Sequence, residues 1–139
     1  MAEITVERFN QIIRDELPLA DEMGMLADCI SYGKAILRLP FRNNMIRPGG
    51  TIAGPFMMAL ADVAMYAVAL SVIGEVQLAV TTSFNINFLH RPLPADLIAQ
   101  GKVLKAGKRL VVSEVEVHSE GNKEAVAHAT GTYSIPPRA

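Results

Sequence analysis

Cysteine is nearly absent: Cys29 stands alone among 139 residues, which excludes an internal disulfide framework and a cysteine zinc cluster. Histidine is scarce too. His90, His118 and His128 show no ligand spacing, so no metal site is expected. There is no basic run and no aromatic platform motif, and the formal net charge is -1, so nucleic acid is not an expected partner. The first five residues carry an acid before any base and no apolar core, unlike a secretory signal, so the expectation is a cytoplasmic protein. Length sets the last bound. Residues 1–139 read as a single domain, large enough to bury a core without disulfide or metal.

Charge is missing most completely between Gly54 and Ile73, where Asp62 is the single charged residue. A helix apolar all round is either buried or spans a membrane. An acid near the middle of a span costs about 2.5–3.5 kcal/mol. Gly54 and Pro55 open the segment, and no cluster of Lys or Arg flanks it. The reading is therefore a buried core helix over residues 54–73, with no membrane partner.

Around it the pattern alternates between helical and strand periods. Val6, Phe9, Ile12, Ile13 and Leu17 recur at helical spacing and end at Pro18, which predicts a short N-terminal amphipathic helix within a lead-in of residues 1–20. Residues 25–32 and 34–41 read as a hairpin turning at Gly33, with Cys29 as a small buried hydrophobe. Residues 43–50 read as a loop, marked by Asn-Asn and Pro-Gly-Gly. After Gly74 the period becomes two: Val80, Thr82, Phe84, Ile86 and Phe88 share one predicted face, and Thr81, Ser83, Asn85 and Asn87 the other. Strands over 97–105, 109–118 and 123–135 follow. In the last of them Ala125, Ala127, Ala129 and Gly131 make a face small enough for close approach of a helix or partner sheet. Five or six antiparallel strands and one long helix predict an α+β fold with the helix on one face of the sheet.

The chemistry concentrates in that helix. Gly54 sits where free N–H groups and the positive end of the dipole suit a developing oxyanion. Asp62 lies eight residues on, about 12 Å of rise. One chain does not easily bring both to one carbonyl. If both serve one reaction, two helices must lie antiparallel, which predicts a two-fold dimer with shared sites. The bland alternative for Asp62 is a structural acid paired across an interface, since buried charges are usually paired.

Gly50-Thr51-Ile52-Ala53-Gly54-Pro55, continuing through an apolar stretch to Ala61-Asp62, resembles the helix-entry signature of hot-dog-fold acyl-CoA thioesterases of the phenylacetic-acid-degradation type, commonly G-T-x-H-G-G and then A-D. Asn85-Ile86-Asn87-Phe88-Leu89-His90-Arg91-Pro92 resembles the family's later strand, and Gly107-Lys108-Arg109 its strand-joining turn. The likeness covers roughly residues 43–133, in order. It implies a central helix wrapped by an antiparallel sheet, homodimers with a continuous sheet that often pair into homotetramers, and hydrolysis of a CoA thioester without a cofactor.

Carried over by position, the resemblance implies that the Gly54 N–H polarises the thioester carbonyl. Asp62 of the facing subunit then acts as general base or nucleophile, and Thr81 or Thr82 orients the water. Substrate contacts fall on Arg47, Ala53, Pro55, Met58, His90 and Arg91, with Lys108 and Arg109 available to the CoA phosphates. Three positions depart from the family pattern: Ala53 replaces the usual His, Pro55 the second Gly, and Arg47 stands where some members carry Asn or Gln. Pro55 has no N–H, so one donor is gone while that of Gly54 remains. Two other readings stay open on the same scaffold: an enoyl-CoA hydratase or dehydratase using His90 with Asp62, and a non-catalytic acyl-CoA binding protein.

Overall fold

A computed structural model describes residues 1–137. Helix α1 (Val6–Glu16) starts where the Thr5 hydroxyl accepts from the Arg8 N–H at 3.1 Å, and it buries Phe9, Ile12 and Ile13. Pro18 ends α1 as expected but also opens a second short helix, α2 (Pro18–Met23), because proline is well suited to a first helical turn. The N-terminal lead-in therefore holds two helices and runs past residue 20. Gly24, at φ +79°, closes α2 in the left-handed conformation that favours glycine. Polar contacts fasten this unit to the body. The Asn10 side chain donates to Ala27 O and accepts from Ala27 N–H, the Glu3 N–H donates to Ser71 O, and Arg8 pairs with Glu75.

Strands β1 (Leu26–Ser31) and β2 (Lys34–Leu39) form the hairpin. The register slips between Ala27 and Cys29, so Ala27 is buried whereas Cys29 is exposed, contrary to the expected buried thiol. The expected loop over 43–50 carries a 3₁₀ turn (Asn43–Met45) and half of a miniature hairpin, β3 (Ile46–Arg47) with β4 (Thr51–Ile52). Helix α3 then runs Gly54–Ile73 and stops at Gly74, whose N–H donates to Leu70 O at 2.9 Å. Strands β5 (Val80–Phe88), β6 (Leu97–Ala106), β7 (Leu110–Ser119) and β8 (Ala125–Ser134) complete an antiparallel sheet of order β1-β2-β6-β7-β8-β5. All six strands contact α3, so the sheet curls around the helix. This is the hot-dog fold.

The apolar helix is not covered all round. From Ala64 to Ser71 every residue is buried, whereas Pro55, Met58, Ala59 and Asp62, spaced to fall on one face, keep solvent access. That stripe lies beside β5, an edge strand with no partner on its outer side among the described residues. Met58 is 42% exposed, Val80 57% and Phe88 50%.

The small face of β8 is used for close approach to α3. A methyl group on Gly131 would come within 2.6 Å of the Met65 sulfur and 2.9 Å of the Ser83 carbonyl oxygen. The sulfur can swing away; the β5 backbone cannot. Gly131→Ala is accordingly expected to lose about 1–3 kcal/mol of stability by overpacking, read as a lower urea midpoint at unchanged slope.

Candidate active site

Asp62 is half-buried on the open stripe of α3. Its Oδ1 accepts two hydrogen bonds, from Thr81 Oγ1 at 2.6 Å and from the Tyr133 hydroxyl at 3.0 Å. The same hydroxyl lies 3.1 Å from the Asp62 main-chain oxygen. Oδ2 has no protein partner among the described residues, and it is not sealed from solvent. It lies by a shallow, mostly apolar hollow lined by Met58, Ala59, Asp62, Thr81 and Phe84. A carboxylate with one oxygen anchored and the other open is oriented to take a proton or attack a carbon.

Thr81 reaches Asp62 because β5 is not a regular strand. Its pairing with β8 slips between Thr81 and Ser83, so Thr81 and Phe84, an odd spacing, both turn toward the helix. The strict two-residue alternation that sets Thr81 opposite Phe84 is thereby corrected. Thr82 is the residue turned away: its hydroxyl donates to Thr132 O at 3.3 Å and takes no part in the Asp62 cluster. Tyr133 is a contact that the strand pattern held unread, since it continues the small face of β8 two residues beyond Gly131.

Gly54 is the first residue of α3, after Ala53 at ψ 142°, and no side chain caps the helix. Its N–H makes no hydrogen bond among the described residues, as expected of a helix start. It lines a second groove of about 400 Å³, with Arg47, Met57, Phe88, His90 and Arg91 among its walls. Among the described residues neither Arg47 nor Arg91 is paired with a carboxylate, so two guanidinium groups along the groove are left unneutralised. His90 Nε2 is engaged at 2.6 Å by Glu124 Oε1, with both side chains more than half exposed, and it is not among the residues around Asp62. Ala53 and Pro55 flank the groove through chain position alone, and Met58 belongs to the Asp62 hollow.

Lys108 and Arg109 lie elsewhere. With Ile73, Ile135 and Pro136 they surround a depression at the C-terminal end of α3, about 28 Å along the helix from Gly54. One chain thus presents two separated features on α3, a free donor at its start and an anchored carboxylate two turns deeper, with separate openings.

This fold and this helix define the class: a hot-dog-fold protein with a single acid on its central helix. Residues 49–126 match the thioesterase superfamily. A solved structure from Silicibacter sp. TM1040, described as a "putative thioesterase", is 35% identical, covers 99% of this chain and 95% of its own, and superposes with a TM-score of 0.88. A variant of phenylacetic acid degradation protein PaaI from Thermus thermophilus is 27% identical over 86% of this chain and 99% of its own, with a TM-score of 0.75. A "putative esterase" of Saccharolobus solfataricus is 26% identical over 95% of this chain and 86% of its own. The chain belongs to the thioesterase superfamily, and thioester hydrolysis is its general chemistry.

Proposed function

We propose that the protein hydrolyses acyl-CoA thioesters at two equivalent sites shared across a two-fold dimer. The Gly54 N–H of one subunit polarises the thioester carbonyl, and Asp62 of the other delivers water or attacks directly. In the water route the new C–O bond forms as Asp62 takes the proton; the C–S bond then breaks and the thiolate leaves, collecting a proton to give free CoA. No cofactor is assigned to these steps.

The observation that carries this reading is the separation of the two half-sites on one helix. A free oxyanion donor and an open carboxylate oxygen, eight residues apart, are each incomplete alone. Antiparallel docking of a second copy supplies each with what it lacks. The uncovered stripe of α3 and the free edge of β5 support such docking, because an apolar face beside an unpaired strand is a natural association surface. In that arrangement Met58, Phe84 and Phe88 surround the acyl chain. Arg47 and Arg91 meet anionic groups of the substrate, as charge-assisted donors do.

The test is a panel of short, medium, long and aromatic acyl-CoAs, followed by free-thiol release and by product identification. Thiol release with the free acid as product is expected for at least one acyl class. Water addition to an enoyl-CoA without thiol release would point to the hydratase reading. Tight binding with no turnover across the panel would point to a binding protein.

A further inference from the structure

We propose that Tyr133 is a positioning residue for hydrolysis, holding Asp62 so that Oδ2 alone faces the substrate, and that the N-terminal helix supports this hold through a column of aromatic rings. The inference rests on the hydrolytic role of Asp62 proposed above. It concerns residues outside the span that matches the superfamily, since Phe9 and Tyr133 both fall beyond residues 49–126.

The geometry is that of a clamp. Thr81 alone fixes one distance to Oδ1 and leaves the carboxylate able to turn about that contact. Tyr133 approaches the same oxygen from β8 at 3.0 Å while its hydroxyl also sits 3.1 Å from the main-chain oxygen of the same residue. Anchors from two strands remove the rotation. Tyr133 is only 5% exposed and does not line the hollow beside Asp62, so it acts through the carboxylate and not on the substrate.

The ring behind it is braced. Tyr133 stacks on Tyr66 with centroids 5.8 Å apart at 29°, and Tyr66 meets Phe9 of α1 at 5.8 Å and 53°. Phe9 is fully buried, and the Tyr66 hydroxyl donates to Gln77 O at 3.2 Å. The charged and titratable groups that act on Tyr133 are Asp62 and Tyr66, both from α3, and Glu16 of α1 and Glu75 after α3 act in turn on Tyr66. Burial, and after it the charge of Asp62, push the Tyr133 phenol well above the usual tyrosine range, so it remains a proton donor throughout any practical assay.

Tyr133→Phe keeps the ring and removes only the hydroxyl. With the best acyl-CoA of the panel, kcat is expected to fall about tenfold with KM within about twofold. The acid limb of the kcat/KM profile should move to higher pH, because a donor to the charged form of the base has been lost. A ring-fluorinated tyrosine at position 133, a stronger donor in the same shape, should move the limb the opposite way, and it preserves the buried hydroxyl should Tyr133→Phe fold poorly. An unchanged limb in both variants, or activity lost only in step with thermal stability, overturns the positioning role. An inactive Asp62→Asn beside an unaltered Tyr133→Phe removes the Tyr133 proposal alone. Full activity in Asp62→Asn removes the catalytic role of Asp62 and this proposal with it, while hydrolysis itself stands.

Discussion

Asp62→Asn is expected to lower kcat by about 10³-fold, the scale typical of a lost general base, while the protein stays folded. The separation of those two effects follows from the hydrogen bonds. Asparagine keeps an Oδ1 that can accept from both Thr81 and Tyr133, so the anchored side of the group is preserved. What disappears is the charge and basicity at the open oxygen. An amide nitrogen there offers donors where a proton acceptor is needed. Steady-state kinetics with thermal unfolding on the same preparation check this: turnover within tenfold of wild type would take Asp62 out of the chemistry.

Gly54→Pro isolates the other half-site. Removing one oxyanion donor costs about 10²–10³-fold in kcat in enzymes of this logic; the residue before position 54 suits a proline, whereas Pro55 after it opposes a helical residue bearing a Cβ, so thermal unfolding is measured beside kcat. Ala53 already has the extended ψ of 142° that a following proline requires, the first helical position suits proline, and the lost N–H has no acceptor among the described residues. The added ring carbon at Cβ meets the Phe88 ring at 3.4 Å, a tight but adjustable contact.

The two variants together examine the shared site. In a mixed dimer of Asp62→Asn with Gly54→Pro, one site receives both lesions and the other receives neither. Refolding an equal mixture should restore about a quarter of wild-type activity if subunits pair at random across a two-fold interface. A mixture as inactive as its parents, with exchange verified by mass, would place Gly54 and Asp62 at the same subunit's site or at no common site.

Much of this arrangement was written locally in the chain. The run from Gly54 to Ile73 carries its own boundaries, with proline early in its first turn and a glycine after its end, so both ends of α3 fall where the residues place them. The alternation of β8 likewise identifies the face that meets the helix. The choice between Thr81 and Thr82 was not legible, because the slip that decides it depends on pairing with residues some fifty positions later. Gly131 lets the Ser83 carbonyl come close, and that approach accompanies the local change of register in β5. Tyr133 was hidden for a related reason: a tyrosine at the end of a strand gives no hint of its target until the curvature of the sheet brings it over α3. Cys29 was misread because a one-residue slip reverses the side on which a side chain emerges.

The open stripe of α3 has a consequence for how the protein behaves on dilution. Where the surface that completes the site also covers apolar residues and an unpaired strand, assembly and folding are linked equilibria. Activity and melting temperature should then fall together as the protein is diluted below its dissociation constant, and substrate should raise both. The separated subunit would carry Met58, Val80 and Phe88 uncovered beside a free strand edge, a template for uncontrolled pairing. In the proposed dimer, losing the partner would therefore cost the chain its solubility as well as its chemistry.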